Sequence, residues 1–216
     1  MKKLLIYDLD GTLVDTREDI VRSVLYMLSE MNAPVMPREE IQSYVGRGLY
    51  PLMSGTLRTS DKKQIAKGGK IYRDYYGRHM LDHSVLYPEA KKFLENYKDR
   101  KQAVVTNKPN PFSEEMLRYL GVADYFIKII AGDEEHPKKP DPSAVLKLLE
   151  REKFWPDDAL FIGDSLIDIE TARNSGIQIA VISHGFGQED ELKSAAPDLL
   201  VKDFAHLRKE LEKRNW

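Results

Sequence analysis

The run Leu4-Leu5-Ile6-Tyr7 leaves no polar side for water, so the segment Lys3 to Leu9 makes a stable strand only with both faces covered. That requirement points to a parallel sheet held between layers of helices. Further short apolar runs follow at Gln102–Asn107, Phe126–Ala131, Ala159–Asp164, Ile177–Ile182 and Leu199–Val201, and helical stretches separate them. Strand alternating with helix implies βαβ units and a doubly wound α/β sheet. The punctuation agrees. Asn110-Pro111 and Asp141-Pro142 read as helix starts, each with a capping side chain before a proline suited to the first helical position. Gly121 and Gly176 stand where helices need a left-handed residue to stop.

One stretch breaks the alternation. From Asp15 to Val85 the apolar residues recur with helical spacing and no convincing strand is visible. Ile20, Val21, Val24, Leu25, Leu28 and Met31 form the stripe of its first helix, with Asp15 or Thr16 as the N-cap and Pro34 and Pro37 ending it. The expected organisation is therefore an α/β core from residues 1–14 and 86–216, with a helical domain inserted over residues 15–85. Both ends of the insertion lie near the tip of the first strand, so the inserted domain is placed to cover whatever chemistry sits there.

Open parallel sheets bind ligands beyond the carboxyl ends of their strands, and polar residues collect there in this chain. The first strand ends Asp8-Leu9-Asp10-Gly11-Thr12-Leu13-Val14-Asp15, and the second ends Thr106-Asn107. A later loop reads Lys138-Lys139-Pro140-Asp141-Pro142, and the fourth strand ends Gly163-Asp164-Ser165-Leu166-Ile167-Asp168. Asp8 and Asp10 are one residue apart and share a face on a straight strand, and the turn that Gly11 permits brings both to one reacting centre. Taken singly, each segment has an ordinary explanation. Asp-x-Asp can cap a turn, Gly163-Asp164-Ser165 can start a helix, Asp168 can be a solvated helix residue and Lys139 a surface lysine like Lys138. The combination is what carries information.

In this order, and over nearly the whole chain, the four segments resemble the motifs of the haloacid dehalogenase superfamily. The helical insertion after the first motif resembles the alpha-helical cap of the group containing phosphoglycolate phosphatases, pyrophosphatases and beta-phosphoglucomutases. Ser183-His184-Gly185-Phe186-Gly187 and the later Ala196-Pro197-Asp198 are also similar to phosphoglycolate phosphatase sequences. The resemblance implies that Asp8 attacks phosphorus, and that Asp10 protonates the leaving oxygen and then activates water. Anions facing an anionic phosphate repel without a cation. Asp8, Asp164 and the backbone carbonyl of Asp10 are therefore expected to hold a divalent metal, and all-oxygen ligation suggests Mg²⁺.

Lys139 and the Thr106 hydroxyl are suited to the phosphoryl oxygens, with Asn107 and the backbone amides around Gly11 and Thr12 completing the cradle. Asp168 acts from behind these groups, either holding metal-bound water or orienting Lys139. In the cap, the Gly46-Arg47-Gly48 loop presents Arg47 as a candidate for a substrate carboxylate or second phosphate. Tyr72, Tyr75 and Tyr76 read as helix packing. The five histidines lack a metal-ligand spacing and read mostly as surface residues.

Composition limits the alternatives. The absence of Cys removes disulfides, thiolate catalysis and Cys-based zinc sites. With 33 basic against 35 acidic residues there is no global positive field to attract nucleic acid. No run approaches the roughly 20 apolar residues of a membrane span, and no signal-peptide pattern precedes the first strand. The chain thus reads as a cytoplasmic monomer or homodimer acting on a small phosphorylated metabolite, 2-phosphoglycolate foremost. Pyrophosphatase and sugar-phosphate mutase activities on the same fold are alternatives. A receiver-type signalling domain is disfavoured by the insertion and by the Asp-x-Asp arrangement on the first strand, and a silent scaffold by the completeness of the motifs. The run Gly132-Asp-Glu-Glu-His-Pro-Lys-Lys139 is more charged than the resemblance leads one to expect.

Overall fold

The computed structural model describes residues 1–132 and 136–216, so the acids Asp133, Glu134 and Glu135 of the charged loop lie outside the described residues. Strand β1 (Leu4–Tyr7) opens the chain and a short β2 (Val14–Asp15) follows. Helices α1 (Arg17–Glu30), α2 (Arg38–Gln42), α3 (Leu49–Thr56) and α4 (Lys62–His79) come next, before β3 (Val85–Leu86) returns antiparallel to β2. Strands and helices then alternate through α5 (Ala90–Asn96), β4 (Lys101–Val105), α6 (Phe112–Tyr119), β5 (Lys128–Ile130), α7 (Ser143–Glu152) and β6 (Ala159–Gly163). The chain finishes with α8 (Leu166–Asn174), β7 (Gln178–Ile182), α9 (Glu189–Ser194), β8 (Leu199–Val201) and α10 (Phe204–Arg214).

Six of these strands form one parallel sheet in the order β5-β4-β1-β6-β7-β8. From β1 the chain steps outward through β4 to β5, then restarts on the other side of β1 with β6, β7 and β8. The reversal puts a crevice at the carboxyl ends of β1 and β6, the place where open α/β sheets bind ligands.

The period-2 geometry of a strand explains why β1 has no polar side. Leu5 and Tyr7, with Val104, Leu160 and Ile162, face a layer containing Phe93 of α5, Met116 of α6 and Phe204 of α10. Leu4 and Ile6, with Ala103, Val105 and Phe161, face Val145 and Leu148 of α7, Ile169 of α8 and Leu192 of α9. All four β1 side chains are fully buried, each worth roughly 1.5–3 kcal/mol in transfer from water. Tyr7 keeps its hydroxyl satisfied in that setting by donating to Gln102 Oε1 at 2.7 Å, while Gln102 Nε2 donates to the Leu94 carbonyl at 3.0 Å.

The helical stretch expected between Asp15 and Val85 is present as α1 to α4, and its two ends differ from that expectation. Asp15 and Val85 pair with each other in the β2–β3 ribbon. A strand of two residues has no alternation to read, which is why the sequence pattern does not reveal it. The prolines also sit one position earlier than expected. Pro111 and Pro142 occupy the cap positions, the helices begin at Phe112 and Ser143, and Asp141 Oδ1 accepts from the Ser143 amide at 2.9 Å. At α1 the N-cap residue is Thr16, without a capping bond from its side chain, and Asp15 Oδ1 takes the Arg17 amide at 3.2 Å. Gly121 and Gly176 do adopt positive φ, +67° and +68°.

Candidate active site

Asp8 is the first residue past β1 and remains 6% exposed, so its carboxylate sits at the tip of the central strand with little water. Its Oδ1 accepts from the Leu9 amide at 2.7 Å and from Lys139 Nζ at 2.9 Å, which fixes the group's orientation. Lys139 also donates to Asp168 Oδ1 at 2.7 Å. Of the two adjacent lysines, Lys139 is buried and Lys138 is exposed. Asp168 sits in the first turn of α8, where its Oδ2 accepts from the Asp164 amide, the Ser165 amide and the Ser165 hydroxyl. The geometry leaves both roles open to Asp168, which holds Lys139 and also lies with Asp8 and Asp164 in one acidic group.

Asp164 is the first residue past β6, close to Asp8, and is 1% exposed. Thr12 Oγ1 donates to its Oδ1 at 2.7 Å and the Phe186 amide to its Oδ2 at 2.7 Å. Thr12, expected among the substrate contacts, thus spends its hydroxyl on Asp164 and is itself fully buried. Gly11 and Gly185 allow this close approach. A Cβ at either would run into the Asp164 carboxylate, and Gly11 has φ +87° besides.

Oxygens of Asp8, Asp164 and Asp168 all lie within 4.8 Å of one another. Burial pushes the Asp8 carboxyl up to about 7, with Lys139 opposing the shift and Asp168 and Asp10 adding to it. Burial, then the charges of Asp168 and Asp8, hold Asp164 well above the ordinary carboxylate range. Burial alone favours a neutral Lys139, yet Asp168 and Asp8 outweigh it and raise the ammonium above the usual lysine value. Ionised together, three crowded carboxylates against one ammonium would leave an excess of negative charge in a dry site. A hard divalent cation with oxygen ligands would relieve it, so the donor set fits Mg²⁺.

Thr106 and Asn107 leave β4 on the opposite side of β1. Thr106 is buried, and its Oγ1 accepts from the Lys108 amide at 3.2 Å. Asn107, expected in a phosphate cradle, lies at the cleft and binds neighbouring backbone through its side chain. Its Nδ2 donates to the Gly46 carbonyl at 2.9 Å and the Lys139 carbonyl at 3.0 Å, and its Oδ1 accepts from the Lys139 amide at 2.8 Å. Both side-chain N–H groups and the side-chain oxygen thus engage backbone, and the residue ties three loops together.

A cleft lies between these strand ends and the inserted helices. Asp8, Asp10, Thr106 and Lys108 line its floor, and Tyr44, Leu49, Leu52, Tyr72 and Tyr76 its roof. Gly46 and Gly48 also line it, whereas Arg47 between them is exposed and is not part of the wall. Tyr72 and Tyr76 do pack in α4 as expected, stacked at 5.3 Å, but they also face the cleft.

Two features escaped the sequence reading. Lys108 Nζ donates to Asp10 Oδ1 at 2.9 Å and to the Tyr76 hydroxyl at 2.5 Å. The signal was present, because Lys108 directly follows Thr106-Asn107, but a lysine in a turn says nothing of its direction. His184 is the second, corrected from a surface residue. Its ring stacks on Tyr87 at 3.7 Å between centroids and its Nε2 lies 3.1 Å from the Thr12 carbonyl. Burial lowers its pKa below the ordinary histidine value.

Comparison with known proteins agrees with this architecture. Residues 5–182 match the model of the haloacid dehalogenase-like hydrolases. The phosphoglycolate phosphatase of Vibrio parahaemolyticus is 32% identical over 95% of this chain and 94% of its own length, and that of Pasteurella multocida is 30% identical over 97% and 98%. The crystal structure of a predicted phosphoglycolate phosphatase from Haemophilus somnus superposes with a TM-score of 0.91 at 28% identity, covering 96% of this chain and 97% of that one. With the family model spanning most of the residues and relatives at this identity along nearly the full length, the chain belongs to the haloacid dehalogenase-like hydrolase family.

Proposed function

We propose that this chain is a Mg²⁺-dependent phosphatase that hydrolyses a small phosphate monoester, 2-phosphoglycolate foremost, through a phospho-Asp8 intermediate. One observation carries the reading: at the floor of the cleft Asp8 has Lys139 Nζ at 2.9 Å and the oxygens of Asp164 and Asp168 within 4.8 Å. The relatives named for phosphoglycolate phosphatase activity support the choice of substrate.

In the first half-reaction a carboxylate oxygen of Asp8 forms a bond to phosphorus while the bond from phosphorus to the ester oxygen breaks. Asp10 gives that oxygen a proton, so the alcohol leaves neutral. Water then attacks the phosphorus and gives a proton to the Asp10 carboxylate. The bond to Asp8 breaks, inorganic phosphate forms and both carboxyl groups are restored. The Lys139 ammonium and the Thr106 hydroxyl offset charge on the phosphoryl oxygens, with backbone amides near Gly11 assisting. Asp168 keeps Lys139 aimed at Asp8. Asp8, Asp164 and the Asp10 carbonyl would hold Mg²⁺, which supplies charge neutralisation between the carboxylates and the phosphate.

Residues 15–85 act as a cap domain over the core of residues 1–14 and 86–216, with the β2–β3 ribbon as the hinge region and closure excluding bulk water. No helix among the described residues is long and apolar enough to cross a membrane. The working assignment is a cytoplasmic monomer or homodimer with no nucleic-acid partner. The test is phosphate release with and without Mg²⁺ from 2-phosphoglycolate, pyrophosphate, glucose 1-phosphate and an aryl phosphate, for the wild type and Asp8→Asn. Metal-dependent turnover of one natural ester that disappears in Asp8→Asn supports the reading. Turnover that survives Asp8→Asn in a clean preparation overturns the nucleophile, and preferred release from pyrophosphate overturns the substrate class.

A further inference from the structure

We propose that Lys108 determines substrate selectivity, by favouring phosphate monoesters that carry a carboxylate next to the ester oxygen. The inference rests on Asp8 and Asp10 being the phosphoryl-transfer pair, and it names the residue that reads the rest of the molecule. Lys108 is 7% exposed, and a lysine so buried is tolerated only where its charge is compensated. The compensation is narrow. Its Nζ donates to Asp10 Oδ1 at 2.9 Å and the Tyr76 hydroxyl at 2.5 Å, and lies 4.6 Å from the centroid of the Tyr76 ring. An ammonium has three N–H donors, so among the described residues one is left for a ligand in the cleft that Lys108 lines.

The position follows from the chemistry. When the phosphoryl group is on Asp8, the ester oxygen must face Asp10 to receive its proton, and the substituent on that oxygen begins beside the group Asp10 touches. That group is Lys108. The wall beyond it is largely apolar, with Leu49, Leu52, Tyr72 and Phe112, and offers an anion little else. The buried ammonium beside Asp8, Lys139, is already shared by Asp8 and Asp168. Arg73 lines the cleft too, but it is exposed, and a charge in solvent discriminates weakly between ligands. A carboxylate one methylene from the ester oxygen gains a charge-assisted bond from Lys108 and from the Tyr76 hydroxyl, whereas a neutral tail gains neither and still displaces water from the lysine.

The test compares 2-phosphoglycolate with 2-hydroxyethyl phosphate, which replaces the carboxylate by a neutral hydroxymethyl group, and reads the ratio of their kcat/KM values. The wild type should favour the acid, Lys108→Gln should lower that ratio about 10- to 100-fold, and Lys108→Arg should retain most of it. A parallel loss on both esters, with the ratio unchanged in Lys108→Gln, overturns the proposal and makes the lysine a positioning residue for Asp10. A ratio that falls in Arg73→Gln and not in Lys108→Gln overturns it in favour of the cleft rim. A second arm needs no turnover: equilibrium binding of both esters to Asp8→Asn, with and without Lys108→Gln. Loss of the preference for the acid on adding Lys108→Gln supports the proposal, while an unchanged preference, or binding of neither ester, overturns it. If the wild type hydrolyses no phosphate ester, the Asp8 reading falls, and this binding arm still decides on Lys108.

Discussion

On the floor of the cleft Asp164 has both carboxylate oxygens occupied, by Thr12 and the Phe186 amide, and Asp168 takes four donors. On the roof, Tyr44, Leu49 and Leu52 present mostly apolar surface, and Arg47 stands in solvent beside a wall formed by its glycine neighbours. The floor consists of strand ends in a sheet buried on both faces, so its side chains have fixed partners and little freedom. The roof is carried by α3, α4 and the loop before α3, in an insertion whose two ends pair as a two-residue ribbon. Fixed dipoles and charges are what bond making and breaking require, while an adjustable apolar cover is what substrate choice requires. Lys108 joins the two, rooted in the floor and bonded to Tyr76 in the roof.

If the floor carries the chemistry, substitutions there should change kcat and those in the roof should change KM. The largest effect is expected for Asp8→Asn, which removes the nucleophile and should lower kcat by roughly 10⁴- to 10⁶-fold in a phosphate-release assay. Asp10→Asn should cost about 10²- to 10⁴-fold in kcat with little change in KM. Asp168→Asn leaves Asp8 and Lys139 in place but loosens the lysine, and should cost about 10- to 100-fold, seen in kcat or in the Mg²⁺ concentration needed for half activity. In the roof, Leu49→Ala should act chiefly on KM, by less than about tenfold, and Arg47→Ala should stay within about twofold because a solvated charge contributes little. A roof substitution that cuts kcat as deeply as Asp10→Asn would break the distinction.

The floor should also be visible in stability. The Asp8 pKa is raised by burial from 3.8 to about 7, so the native protein holds a proton there that the unfolded chain has released. Stability from this group is complete below about pH 4 and is lost as pH rises toward 7. Without metal, the melting temperature should therefore fall over that interval through Asp8. Asp8→Asn should remove this part of the slope and raise the metal-free Tm at pH 8 by roughly 3–8 °C. Scanning calorimetry in a chelator checks it, and identical pH slopes for the two proteins would show that Asp8 is ionised at no cost in the fold.

Much of the floor was legible because its chemistry is tied to chain order. Asp8 and Asp10 follow an apolar run with no polar face, and Asp164 ends another, so the strand ends place them before any coordinates are known. The pair Lys138-Lys139 was separable as well: its place directly before Pro140-Asp141-Pro142 singled out Lys139, and in the structure Lys138 is exposed while Lys139 lies between Asp8 and Asp168. The legibility stops at contacts between distant segments. Asn107 stood at a strand end of the right kind, yet its amide is used up by Gly46 and Lys139. His184 and Lys108 were missed for the same reason, since stacking on Tyr87 and reaching Tyr76 are contacts between segments far apart in the chain.

By itself the sequence determined the doubly wound sheet, the helical insertion and the strand-end acids, because hydrophobic periodicity and chain connectivity are local properties that dictate which residues emerge at the carboxyl edge. Only the tertiary structure decided which polar atoms are free and which are spent. Hydrogen bonds and pKa shifts depend on distance and burial among residues as far apart as Thr12 and Asp164, or Lys108 and Asp10, and those quantities exist only once the chain has folded.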